Sequence, residues 1–138
     1  MYSPPPLLRE IQVNDKKLRT CIEQTVSDGG ITAASQLKRL SCTHAGISAL
    51  EGIEQFGQLE NLNLANNQLT ELTPLSKLSQ LTVLNVRENR LTDVSALLSL
   101  IHLEKADVSD NPNLACTDLE QLAKSFEGEL TLPKQCER

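Results

Sequence analysis

An internal repeat constrains this chain more than any other feature of its sequence. Segments beginning at Leu37, Leu59, Leu81 and Leu103 follow one another at a spacing of 22 residues. The clearest two read LENLNLANNQLTELTPLSKLSQ (59–80) and LTVLNVRENRLTDVSALLSLIH (81–102). The earlier one reads LKRLSCTHAGISALEGIEQFGQ (37–58), and the last opens LEKADVSDNPNL and then changes character. A coil this short cannot bury its own leucines, so stability must come from stacking one coil on the next. The whole chain has 138 residues, enough for one core and not two.

The pattern can be read position by position. Positions four and six hold Leu40 and Cys42, Leu62 and Leu64, Leu84 and Val86, Ala106 and Val108. Residues two apart on a strand share a face, so these side chains point inward together and the residue between them points outward. Position eleven holds Ile47, Leu69 and Leu91, and positions fourteen, seventeen and twenty are apolar in each full repeat. That spacing of three suits short 3₁₀ pieces on the side away from the strands, and Pro74 can start such a turn without losing a needed donor. Position nine holds Asn67, Asn89 and Asn111, with Ala45 in the first repeat. An inward amide there can satisfy backbone groups that the turn off the strand would otherwise bury unpaired.

Both open ends of such a stack need a cover. Leu18, Cys21, Ile22, Thr25 and Val26 mark one face of a helix, with Asn14 as the expected N-cap and Asp28-Gly29-Gly30 as the closing turn. Thr32 can cap a short turn leading into the first strand. At the other end, Thr117-Asp118-Leu119-Glu120 reads as a capping box. Leu119, Leu122, Ala123 and Phe126 form the apolar stripe, Gly128 stops the helix, and Leu130 and Leu132 alternate as a short final strand ended by Pro133. The four cysteines lie in and beside these covers. Three connectivities exist; the economical one joins Cys21 to Cys42 and Cys116 to Cys136, each closing a loop of about 20 residues worth roughly 3 kcal/mol in the chain-entropy model. Four reduced thiols in a cytosolic protein is the alternative.

These residues fit the leucine-rich-repeat template, and they resemble the 22-residue, internalin-type class of bacterial repeats. NDKKLRTCIEQ followed by GGITAASQLKRLSC resembles the cap-to-first-strand segment of secreted members, and NPNLACTDLEQLAK resembles the closing segment. The likeness runs from Ile11 to Cys136; Ala45, Ala106 and the Asn111-Pro112-Asn113 slip depart from it. The resemblance implies pairing of the four cysteines. The expected fold is an α/β solenoid: a right-handed superhelix with a short parallel concave sheet, a 3₁₀ convex side, a helical N-terminal cap and a helix–strand C-terminal cap. Residues 1–10 read as an extended proline-rich leader. Residues 11–138 read as one repeat domain, with the N-terminal cap at 11–36, the repeats at 37–114 and the C-terminal cap at 115–138.

Function is less constrained. The net charge of −5 disfavours a nucleic-acid or membrane-surface binder, which needs clustered Lys and Arg. No apolar run approaches the roughly 18 residues of a spanning helix. Met1 to Pro6 has neither the basic flank nor the apolar stretch of a signal peptide, and a secreted chain or lipoprotein whose signal segment is replaced by Met1 would begin this way. The default binding surface is the concave sheet, where outward residues of successive coils align. Its candidates are Arg39, Ser41, Asn61, Asn63, Val83, Asn85, Arg87, Glu88, Lys105 and Asp107, with Arg39 and Arg87 as anchors because Tyr and Trp are missing there. Catalysis, cofactors and metals find little support. Cys42 beside His44 is directed into the core, His102 lies at a coil boundary, and the six glycines are scattered in turns rather than gathered in a phosphate loop. The expected protein is thus a non-enzymatic module binding a protein or a glycan, secreted, periplasmic or anchored at the surface, with room for a lipid anchor upstream of residue 2. The alternative is an intracellular regulatory scaffold, like a repeat-containing phosphatase subunit, with reduced cysteines.

Overall fold

The computed structural model describes residues 12–136. The expected leader, residues 1–10, lies outside the described residues. Helix α1 (Lys16–Gly29) is followed by four strands, β1 (Arg39–Ser41), β2 (Asn61–Asn63), β3 (Val83–Asn85) and β4 (Lys105–Asp107), then helix α2 (Cys116–Ser125) and strand β5 (Glu129–Thr131). The strands form one five-stranded parallel sheet in chain order. Short 3₁₀ segments at Ile53–Gln55, Thr73–Lys77 and Ser95–Ser99 form the opposite wall, the second with Pro74 in its first turn.

The sheet register carries the repeat into space. Leu40, Leu62, Leu84 and Ala106 pair across neighbouring strands, and Leu130 continues the row. The first four of these are buried, as are Leu64, Val86, Val108, Ile47, Leu69, Leu91 and the apolar residues of the 3₁₀ segments. Burying one leucine contributes roughly 1.5–3 kcal/mol, so the core is a sum of nearest-neighbour contacts along the stack. In the fourth coil Leu114, one place beyond position eleven, is buried. The Leu114 N–H donates to the Asn111 carbonyl (3.2 Å), so the Asn111-Pro112-Asn113 slip still delivers a leucine to the core.

Asn67, Asn89 and Asn111 are buried and link successive coils. The Asn89 Oδ1 accepts from Leu69 N–H of the preceding coil (3.0 Å), and its Nδ2 donates to the carbonyls of Leu64 (3.0 Å) and Val86 (2.9 Å). Asn111 repeats this with Leu91 N–H and the carbonyls of Val86 and Val108. Asn67 accepts from both Ala45 and Ile47 N–H and donates to the Cys42 and Leu64 carbonyls. Each amide serves the coil before its own. The first repeat coil has no such coil before it, which is why Ala45 suffices at position nine.

The N-terminal cap corrects two expectations. The N-cap of α1 is Asp15, not Asn14. Its Oδ1 accepts from Lys17 N–H (2.9 Å) and Leu18 N–H (3.1 Å), while its Oδ2 accepts from Ser48 N–H (2.9 Å) and Ala49 N–H (3.2 Å) in the first coil. A carboxylate can bridge in this way with two acceptor oxygens; an Asn amide has one. The short 3₁₀ turn at Ala34–Gln36 starts from Ala33 rather than Thr32; Gln36 Oε1 accepts from Thr32 N–H (2.8 Å) and does the capping in reverse. The helix ends as expected, with Gly30 left-handed at φ 62° and Ile31 N–H returned to the Val26 carbonyl. Leu18, Ile22 and Val26 are buried, whereas Cys21 and Thr25 are half-buried. Gly52, at φ 103°, lies so close to the Gln12 carbonyl that a Cβ would collide with it, and Val13 is buried beside it.

The C-terminal cap corrects more. Helix α2 begins at Cys116 with Ala115 as a cap that makes no side-chain hydrogen bond, so Thr117 is already inside the helix and the capping box does not form. Ala123 is exposed; Leu119 and Leu122 are buried and Phe126 is half-buried. Gly128 does not stop the helix, which ends at Ser125. It permits close approach instead, because a Cβ there would collide with the Glu104 carbonyl that accepts from Glu129 N–H (2.8 Å). That contact docks β5 on β4 as a fifth rung. Both disulfides are formed, Cys21–Cys42 and Cys116–Cys136, with Cα separations of 5.9 and 5.2 Å. One ties α1 to the first strand; the other ties the start of α2 to the segment after β5.

Two predictions follow from these contacts. Asn89→Ala orphans the Leu69 N–H in the interior, while the Leu64 and Val86 carbonyls keep one amide donor each, from Asn67 and Asn111; a urea titration should show a loss of about 1–3 kcal/mol, the cost of one unpaired buried group. The second concerns Asp15. Partial burial raises its pKa, but the N–H groups of Ser48, Leu18, Lys17 and Ala49 together outweigh this and hold the carboxyl below its ordinary value of 3.8. A depressed folded pKa stabilises at pH above the unfolded value and is lost as pH falls through the folded one. Asp15→Asn keeps one acceptor oxygen for the helix cap but loses the one that serves Ser48 and Ala49, and should therefore cost about 1–2 kcal/mol at pH 7, with the gap to the parent closing below pH 3.8. Equal gaps at pH 7 and pH 2.5 in the same titration would contradict it.

Candidate concave binding face

The outward side chains of the sheet stand in columns. Position three gives Arg39, Asn61, Val83 and Lys105, and β5 adds Glu129. Position five gives Ser41, Asn63, Asn85 and Asp107, and β5 adds Thr131. Neighbours in a column lie about 4.8 Å apart, the spacing of adjacent strands. Reading the final strand as a bare alternation does not reveal that it extends both columns; the register with β4 does.

All ten residues singled out in the sequence fall on this one face or its edge. Arg39, Ser41, Asn61, Arg87, Glu88 and Lys105 are exposed, while Asn63, Val83, Asn85 and Asp107 are half-buried. Position five has a second task. Asn63 Oδ1 accepts from Ala65 N–H (3.1 Å), Asn85 Oδ1 from Arg87 N–H (3.0 Å) and Asp107 Oδ1 from Ser109 N–H (3.0 Å). These turns steer the chain off each strand. The Nδ2 groups of Asn63 and Asn85 make no hydrogen bond among the described residues and face outward. The next feature is invisible as a hydrophobic pattern: His44, Asn66, Glu88 and Asp110 all have left-handed backbones, with φ of 54°, 60°, 54° and 55°. Position eight is a bend in every coil, and Asn and Asp are among the side chains that tolerate it. A sequence signal existed in the Asn and Asp at two of these places.

Charge is distributed along the stack. Arg39, at the first coil, has no carboxylate within ion-pair distance among the described residues. Arg87 does: its Nε donates to Asp110 Oδ2 at 2.9 Å and lies 3.7 Å from Glu88 Oε1. The hydrogen bond to Asp110, then its charge, raises the Arg87 pKa further. Arg87 is thus braced between coils, and of the two expected anchors Arg39 is the unpaired one. Lys105 Nζ lies 3.7 Å from Glu129 Oε2 on β5. The first coil presents Arg39 and His44, and the last presents Asp107, Asp110 and Glu129, so the face runs from basic to acidic. His102 lies away from these columns, with Nδ1 2.9 Å from the Ser79 carbonyl. Among the described residues no three His, Cys, Asp or Glu side chains gather as a metal-ligand set. No helix of the described residues is long and apolar enough to cross a membrane.

This geometry is shared with solved bacterial structures. Over 96% of its length the chain matches an internalin (inlF) from Listeria monocytogenes at 28% identity and a TM-score of 0.77, and an internalin C2 (inlC2) from the same organism at 26% identity and 0.75. It spans 39% of the first of those chains and 58% of the second. A structure of the CBM51-2 and INT domains of ZmpB from Clostridium perfringens matches 59% of the chain at 31% identity and a TM-score of 0.51, covering 18% of that protein. No protein-family model matches the sequence, and no curated protein matches it either. In repeat length and coil geometry the chain has the leucine-rich-repeat fold of these internalins, and a disulfide closes each of its caps.

Proposed function

We propose that this protein is a non-enzymatic interaction module that binds a protein partner through its concave sheet. The observation that carries this reading is the register of the sheet: five strands hold two columns of outward polar side chains on a rigid backbone. Rigid polar columns bind with little ordering cost, because the residues flanking each strand are already fixed by turns and by the Asn ladder. Asn63 and Asn85 offer unused amide donors, Arg39 an unpaired cation, and Val83 a half-buried apolar spot between Asn61 and Lys105. The gradient from basic to acidic favours a partner of the opposite gradient and fixes its orientation on the face. Arg39 and Asn85 are the positions on which recognition depends most.

The test is capture of a host protein on the immobilised full chain. Arg39→Glu and Asn85→Arg should each weaken capture at least about tenfold, equivalent to about 1.4 kcal/mol. Glu71→Lys, an exposed change off the sheet, should leave it intact. Capture undiminished by both concave substitutions would remove this reading.

The same module belongs in an oxidising compartment, which is to say secreted, periplasmic or held at the cell surface. Two disulfides close both ends of a stack of few coils, and such bonds persist where glutathione does not reduce them. Protein alkylated during isolation from its native compartment should carry no adduct, and its intact mass should be four hydrogens below the fully reduced value. A full set of alkylated thiols would instead place it in the cytosol.

A further inference from the structure

The fourth coil lacks a 3₁₀ segment, and α2 takes that place. It packs on the Ser95–Ser99 segment of the third coil but does not cover it completely. Leu98 is left 48% exposed and Ile101 79% exposed, the large apolar side chains that stand out among the described residues. Ile101 lies in a groove of about 1150 Å³ between the last coils and the end of α2, whose apolar walls include Leu122 and Phe126. Leu98 lines both this groove and a smaller hollow of about 130 Å³ on the other side.

The groove has a one-sided charge. Glu60, Glu104, Glu127 and Glu129 line it, and Asp93 and Asp118 line the smaller hollow. Lys105 is the lysine on that lining and is already matched to Glu129 at 3.7 Å. Among the described residues Glu60, Glu104 and Glu127 have no cation within 4.0 Å. Carboxylates around exposed aliphatic side chains keep such a patch from closing on a second copy of itself, since like charges would then face each other. They favour an occupant of opposite sign.

We propose that this groove is a second docking surface, separate from the concave columns. Its occupant is a polypeptide segment of a partner protein that carries adjacent aliphatic side chains flanked by lysines or arginines. The aliphatic pair covers Leu98 and Ile101, and the flanking cations meet Glu60, Glu104 and Glu127. This surface does not depend on the concave reading: the residues that define it, apart from Val83, Lys105 and Glu129 at the shared border, are off the sheet face.

The probe is a displayed library of short peptides with two adjacent leucines and flanks randomised among Lys, Arg, Ser, Asp and Glu, panned on the full chain. Lysine or arginine should be enriched at the flanks by at least about tenfold over Asp and Glu. A synthetic peptide of the enriched type should bind in a fluorescence-anisotropy titration, weaken as salt is raised, and lose about tenfold in affinity with Ile101→Asp and with the pair Glu104→Lys and Glu127→Lys. Arg39→Glu should leave this binding unchanged, which separates it from the concave face. Ile101 is exposed, so its replacement should preserve the far-UV circular dichroism and thermal midpoint. The proposal is overturned by neutral or acidic flanks among the enriched peptides, or by binding indifferent to Ile101→Asp. It is equally overturned by self-association that Ile101→Asp abolishes, which would assign the groove to a second copy.

Discussion

Each coil of this solenoid depends on its neighbour for two things at once: apolar cover and backbone hydrogen-bond partners. The leucines supply the first in a non-directional way, and many aliphatic combinations would serve. The position-nine amides supply the second with direction. Asn67, Asn89 and Asn111 reach back to the coil before them, and so they set the order and spacing of the stack as well as its stability. A buried donor or acceptor left unmatched costs more than a matched one contributes, so a coil displaced by one residue would lose on both counts. The strict 22-residue spacing follows from this pairing.

The ends of such a stack break the logic, and the chain resolves them differently. At the first coil a helix provides apolar cover through Leu18, Ile22 and Val26, and its own N-cap, Asp15, provides the hydrogen bonds that a preceding coil would have given. One carboxylate joins the helix start to the first coil. At the other end one side chain contributes, Gln135 Nε2 donating to the Asn111 carbonyl at 3.1 Å, but no carboxylate bridges helix and coil. The backbone does most of the work: β5 adds a further rung to the sheet, allowed by the bare Cα of Gly128 against Glu104. The disulfides then fix both arrangements where the closed loops are short and the local core is thin.

This division explains which parts of the fold can be read from the sequence. Anything repeated is legible, because several copies of a weak signal reinforce one another: the inward pairs, the 3₁₀ spacing, the Asn column and the parallel register all follow from aligning the chain with itself. Anything that occurs once rests on local propensity alone, and there the tertiary context decides. Asn14 is as good a helix cap as Asp15 in isolation; Asp15 wins because Ser48 and Ala49 need its second oxygen. Thr117 and Glu120 have the spacing of a capping box, yet α2 already begins at Cys116, whose sulfur is held by Cys136. Ala123 fits the apolar stripe but faces solvent, since α2 meets the stack only through Leu119 and Leu122. The concave face is legible as a set of positions. The pairing of Arg87 with Asp110 is not, because the two lie 23 residues apart and meet only when the coils are in register.

The same contrast bears on where recognition can evolve. Positions three and five sit on a backbone that the repeat holds fixed, so their side chains can vary without disturbing the core, apart from the one oxygen that each of Asn63, Asn85 and Asp107 spends on its turn. If the columns bind a partner as proposed, they can be tuned to it by small steps on a constant spacing. The region beneath α2 is different. It lies where the last coil departs from the pattern, and there the outward positions eighteen and twenty-one, Ser76 and Ser79 in the second coil, carry the exposed aliphatics Leu98 and Ile101 in the third. Bare aliphatics with carboxylates around them leave a cavity there at the cost of some burial. On the functions proposed above, the regular repeat offers one surface for recognition and its interruption another of different chemistry.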